Sequence, residues 1–155
     1  NHHRQTGGRT VFVVPTIAMA EQIEQEYADV PLISITGSDN ALSLLEARTG
    51  SKIIVCTADS LPKIFYPKQS TDGKILTSGL LSDDHLLLVV DEAHKLFSDY
   101  SYRDEAMRGV MNAMRKTSEA SPTNRVVCIS ATPNLLLHHA APLDRFAYLH
   151  IRTRE

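Results

Sequence analysis

Four short polar clusters stand directly after apolar, β-branched runs: Pro15-Thr16, Thr57-Ala58-Asp59-Ser60, Asp91-Glu92-Ala93-His94 and Ser130-Ala131-Thr132. The third carries the most chemistry. Two adjacent carboxylates after an apolar strand suit a magnesium–nucleotide site, where one holds the metal directly or through water and the other orients the attacking water. Neighbouring positions face different ways, so Asp91 is expected at the metal and Glu92 at the water. His94 is then placed to couple this site to a hydroxyl such as Ser130 or Thr132 and is not needed as a metal ligand. Taken singly, each cluster has a plainer meaning. Paired acids after a strand are often loop charges, Ser130 and Thr132 read as turn or cap hydroxyls, and Thr16 reads as a helix cap.

The elements that would position these clusters follow from the apolar pattern. Thr10 to Val14 is a β-branched and aromatic run followed by proline, as a buried strand and turn require. From Thr16 to Tyr27, the residues Ile17, Met19, Ala20, Ile23 and Tyr27 recur at three- and four-residue steps, which predicts a helix. Further strands are expected over 32–35, 52–56, 86–90, 125–129 and 147–151, and helices over 41–48, 58–65 and 103–116. The stretch 66–81 contains Pro, Gly, Ser and Thr without a period and reads as an exposed loop or hairpin. Strands alternating with helices predict an α/β fold with a mostly parallel sheet covered on both faces. Ligands of such sheets bind at the carboxyl ends of strands, where all four clusters lie.

Composition narrows the setting. A chain of 155 residues, 43% hydrophobic and 22% charged, suits one compact core and is far from disordered or collagen-like extremes. A formal charge of −2 excludes a general polyanion binder, so any nucleic-acid contact falls to local loops. No run is long and apolar enough to cross a bilayer, and no signal peptide pattern opens the chain, so a cytoplasmic setting without a membrane partner is expected. Cys56 and Cys128 sit inside apolar runs without C-x-x-C spacing and read as reduced core residues. Lys63, Lys68 and Lys74 read as a solvated face; His138-His139, pointing apart on a helix, receives no role.

Taken in order, the motifs resemble those of the first RecA-like domain of superfamily 2 helicases and translocases, the DEAD/DEAH-box group in the broad sense. Val13-Val14-Pro15-Thr16, with Ala20-Glu21-Gln22 behind it, is similar to motif Ia, and Val55-Cys56-Thr57-Ala58 to motif Ib. Val89-Val90-Asp91-Glu92-Ala93-His94 matches motif II and Ser130-Ala131-Thr132-Pro133 motif III. The resemblance runs from about Thr10 to Ile151. It implies a three-layer RecA-like fold of the P-loop NTPase type, ATP as fuel and magnesium, held by Asp91, as cofactor. It further implies catalysis by Asp91, Glu92 and His94, and coupling of hydrolysis to domain movement through Ser130, Ala131 and Thr132. Single-stranded DNA or RNA would touch Pro15, Thr16, Gly37 and Thr57.

The family's phosphate loop, G-x-x-x-x-G-K-[ST], is missing. Thr6-Gly7-Gly8-Arg9-Thr10 runs into a strand where a helix should begin and carries Arg in place of Lys, and Gly73-Lys74 is followed by Ile. The resemblance therefore implies a chain that lacks the strand and loop upstream of Pro15. On that reading residues 1–9 are a disordered or tag-adjacent leader, 10–151 a partial RecA-like domain, and 152–155 the start of a linker to a second RecA-like domain. Without that second domain, arginine contacts on the γ-phosphate worth roughly 10³–10⁵ in rate are lost, and the isolated chain is expected to be inactive. One side of Val126 to Ile129 should be exposed, with non-physiological dimerisation, a displaced C-terminal strand or poor solubility as the consequence. The competing reading is a non-catalytic RecA-like module that binds nucleic acid or protein.

Overall fold

The structure, a computed structural model, describes residues 2–37, 41–77, 79–95 and 104–131. Thr132, the His138-His139 pair and the strand expected over 147–151 lie outside the described residues. Five strands, β1 (Thr10–Val14), β2 (Leu32–Ile35), β3 (Ile53–Thr57), β6 (Leu87–Val90) and β7 (Arg125–Cys128), form one sheet in the order β2-β3-β1-β6-β7. Every pairing in it is parallel. Helices α2 (Ile17–Glu26), α3 (Ala41–Thr49), α4 (Leu61–Phe65) and α5 (Asp104–Ala120) cover it, and a two-stranded antiparallel ribbon, β4 (Lys68–Gln69) with β5 (Ile75–Thr77), stands apart.

Register explains the layers. Ile35, Cys56, Val13, Val90 and Cys128 lie in line across the sheet and face α3, α4 and α5. The neighbouring row, Val55, Phe12, Val89 and Val127, faces the side covered by α2 through Met19, Ala20 and Ile23. Burial decays along that row, from 2% exposure at Val55 to 43% at Val127, and Ile129 beyond it is 45% exposed. The α/β parallel-sheet expectation holds, and β7, beside which a missing strand was expected, is the end strand of the sheet among the described residues.

Two helix ends differ by three residues or more from those expected. The helix expected from residue 58 starts at Leu61, because Ser60 N–H donates to the Thr57 carbonyl and closes a turn first. The helix expected to end at Lys116 runs to Ala120: Thr117 is buried in step with Val110, Ala113 and Met114, and Ser118 Oγ donates to the Met114 carbonyl at 3.1 Å. The stretch 66–81, expected as an exposed loop or hairpin, contains the antiparallel β4–β5 hairpin and runs into a 3-10 turn, Leu80–Ser82.

Within residues 1–9, read from the sequence as a disordered or tag-adjacent leader, His2–Thr6 forms a helical turn, α1. His2 Nε2 lies 2.6 Å from the His85 carbonyl oxygen, and a Cβ on Gly8 would overlap that same carbonyl, so only glycine fits there. Arg9 is buried in an ion pair with Asp83 and donates to the Ala47 carbonyl at 2.9 Å. Gly7-Gly8-Arg9 thus closes the amino edge of the sheet, opposite the carboxylates of Asp91 and Glu92. At the same edge Asn124 accepts from Leu86 N–H at 2.8 Å and donates to the Thr117 carbonyl at 3.2 Å, fixing β6 to α5.

Candidate nucleotide and nucleic-acid site

Because all five strands run the same way, the loops after them emerge on one edge. β1, β6 and β7 are adjacent, so Pro15-Thr16, Asp91 to His94 and Ser130-Ala131 are neighbours there. The ladder continues past the strand ends: Asp91 N–H donates to the Val13 carbonyl at 2.9 Å and Ile129 N–H to the Val90 carbonyl at 2.8 Å. Ala93, fully buried, returns a bond to the Ile129 carbonyl at 2.9 Å, and Lys95 N–H closes the turn on the Glu92 carbonyl at 2.8 Å. Asp91 to His94 is therefore a tight turn, tied on one side to β1 and on the other to β7.

The turn has one strained member. Glu92 has φ 48°, the left-handed region that side chains bearing a Cβ avoid, and its N–H is held by Asp91 Oδ1 at 2.9 Å. That bend sends the Glu92 carboxylate toward His94, with Oε2 3.2 Å from Nδ1. The same Nδ1 lies 3.0 Å from Ser130 Oγ. His94 therefore joins the Glu92 carboxylate to the loop after the next strand, its Nδ1 lying within hydrogen-bond distance of both a carboxylate oxygen and a hydroxyl. Ala131 follows, exposed.

A recess of about 30 Å³, enough for a water-sized species, is lined by Pro15, Ala58, Asp91, Glu92 and Lys95 over Val13, Val14 and Val90. Lys95 is a member that the motif pattern did not single out; its only sequence signal is its place directly after His94. The donors fit magnesium, which takes hard oxygen ligands and commonly one or two carboxylates with waters and substrate phosphates. Among the described residues no group of three or more His, Cys, Asp or Glu could hold a metal by itself.

The residues proposed for nucleic acid occupy the same edge in different states. Thr16 is exposed and caps α2, its Oγ1 accepting from Met19 N–H at 3.2 Å. Pro15 borders the recess beside Asp91. Gly37, at φ 115°, offers its carbonyl to Lys63 Nζ at 3.0 Å, linking the turn after β2 to α4. Thr57 is 5% exposed and its hydroxyl is engaged with Ser60 Oγ at 3.0 Å, so its side chain supports the loop from within. Cys56 and Cys128 are free thiols, with burial pushing them up to about 12 and about 11. No helix among the described residues is long and apolar enough to cross a membrane.

The family model for DEAD/DEAH box helicases matches residues 1–138. Among solved structures the chain is similar to the Pyrococcus furiosus Hef helicase domain, at 14% identity and a TM-score of 0.49. That match covers 88% of this chain and 25% of the other, so the chain spans a quarter of that structure's length. No curated protein matches it. With its strand-end motifs in family order and most of its length matched, the chain belongs to the DEAD/DEAH box helicases.

Proposed function

We propose that this chain is the nucleotide-handling RecA-like part of a motor that couples ATP hydrolysis to movement on single-stranded DNA or RNA. The observation that carries the reading is the 3.0 Å hydrogen bond between His94 and Ser130, which mechanically joins the Asp91 to His94 turn to the loop after β7. Asp91 would hold magnesium, directly or through water, and the bound ion would neutralise phosphate charge. Glu92 orients the attacking water and accepts its proton, and His94 transmits the state of that carboxylate to Ser130. Thr132 and Ala131 complete the coupling loop, and the exposed α2 cap at Pro15-Thr16, with the Gly37 turn and the Thr57 loop, forms the nucleic-acid track. A second RecA-like domain would supply the remaining phosphate contacts, and a cytoplasmic setting suits the fuel.

The 155 residues contain no G-x-x-x-x-G-K-[ST] run. By itself, then, this chain is proposed to hydrolyse ATP negligibly, and turnover at the rate of a complete motor would refute that. In a protein joining this domain to a phosphate loop and a second RecA-like domain, Glu92→Gln should abolish turnover while keeping nucleotide binding. Retained hydrolysis would remove Glu92 from the base role. The second reading is a non-catalytic nucleic-acid- or protein-binding module, which nucleic-acid binding indifferent to ATP in that larger protein would support.

A further inference from the structure

The water-sized recess beside Asp91 carries a cation to which the proposed chemistry gives no task. Its charged walls are Asp91, Glu92 and Lys95, and Met107 and Val110 of α5 join Val13, Val14 and Val90 in its apolar lining. Lys95 is fixed at its backbone, where its N–H donates to the Glu92 carbonyl at 2.8 Å and closes the turn that bears both carboxylates. Partly buried, its side chain forms one wall of the recess. Among the described residues neither Asp91 nor Glu92 forms an ion pair with it, while Glu92 is in contact with His94. Lys95 therefore shares the recess with the two acids without closing it.

Charges of both signs then act on whatever enters. A species held in about 30 Å³ is beside every wall, and apolar lining screens charge less than water does. A divalent cation arriving alone is drawn by two carboxylates and repelled by one ammonium. A cation arriving on a phosphate brings anionic oxygens, which the ammonium attracts. Lys95 thus acts with opposite sign on the two forms, a distinction that a pair of acids by itself does not make. Two carboxylates are also a small ligand set for a free hard cation, so one added charge shifts its binding measurably.

We propose that Lys95 is a specificity-determining residue of this site: its ammonium weakens the capture of free divalent cation by Asp91 and Glu92, so that the recess favours a cation already carried by a phosphate. The proposal rests on the reading of Asp91 as metal ligand and adds to it the form in which the metal enters.

The test uses the whole 155-residue chain and Mn²⁺ as the probe, with free ion counted by electron paramagnetic resonance. Lys95→Met keeps the aliphatic stem, deletes the charge and should bind Mn²⁺ about fivefold more tightly than the wild type, as removal of one unit charge beside a divalent ion near solvent predicts. Lys95→Arg keeps the charge and should bind like the wild type. So should Lys52→Met, which deletes an exposed lysine just before β3, at the amino edge of the sheet. Adding Asp91→Asn to Lys95→Met should remove the gain. With Mn²⁺ presented as its tripolyphosphate complex, Lys95→Met should bind no more tightly than the wild type.

Four results would overturn the proposal: free Mn²⁺ bound equally or more weakly by Lys95→Met, a matching gain in Lys52→Met, a gain that persists without Asp91, or the same gain for the tripolyphosphate complex. Mn²⁺ binding that Asp91→Asn weakens and Lys95→Met leaves alone rejects the role of Lys95 and keeps the metal site. No saturable Mn²⁺ binding by either the wild type or Lys95→Met rejects the metal reading and the proposal with it. Thermal melts verify that each variant is folded, and if Lys95→Met is not, Lys95→Gln takes its place.

Discussion

At Glu92 backbone geometry and proposed chemistry collide, and substitution there separates them. Its φ of 48° lies in the left-handed region, where a residue with a Cβ is held at a cost of about 1–2 kcal/mol. Glycine removes that cost, but a glycine-bearing unfolded chain is freer than an alanine-bearing one by about 0.4–1 kcal/mol. Glu92→Gly and Glu92→Ala both delete the carboxylate and its 3.2 Å contact with His94, so those losses cancel between them. The glycine variant should therefore be the more stable of the two by about 0.5–1 kcal/mol. At an ordinary helix or strand position the order is reversed by a similar amount, roughly 0.5–1 kcal/mol. At about 2–4 °C per kcal/mol for a chain of this size, Glu92→Gly should melt roughly 1–4 °C above Glu92→Ala in thermal denaturation followed by circular dichroism. An alanine variant melting at or above the glycine variant would refute the left-handed backbone. Glu92→Gln keeps both the strain and the side-chain volume, so it should melt like the wild type, and any loss of turnover it causes reads chemistry alone.

Two further outcomes concern the scaffold. Arg9→Met strips the buried partner from Asp83 and should lower stability by about 3 kcal/mol in denaturant titration, while adding Asp83→Leu should recover most of it; equal losses in single and double variants would show that the ion pair is not the cause. Burial raises both thiols, Cys56 to about 12 and Cys128 to about 11, so the fold holds protons that the unfolded chain releases above the ordinary thiol value of 9.0. Their contribution is therefore complete below that value and falls as pH climbs toward 11 to 12; a Cys56→Ala/Cys128→Ala double variant should lose less stability between neutral and strongly alkaline pH than the wild type.

Strand positions were legible because β-branched runs such as 10–14 and 86–90 are bounded by turn residues, and a parallel sheet then fixes which ends of those strands meet. His94 beside Ser130 follows from that convergence. What escaped was decided by polar side chains reaching across the fold. Arg48 and Lys63 sit in ordinary helical patterns, and nothing local announces that one is buried under the end of α4 or that the other bonds the Gly37 turn. The persistence of α5 past Lys116 depends on Thr117 being buried, which its hydroxyl argues against when read locally. Glu92's left-handed backbone has no signal in a residue type that usually avoids it.

The register of β1 has a consequence for how the chain is made. Thr10 pairs with Ile53 on one side and Leu87 on the other, so among the five described strands the central one is made before both of its partners. At about 5–20 residues per second, several seconds of synthesis pass with Val11 to Val14 unpaired on both edges, and β7 comes later still. Such a domain relies on α2, which follows β1 directly, to shelter Phe12 and Val14 in the interval. A slowed or stalled ribosome between β3 and β6 would leave the stickiest part of the sheet open to other chains.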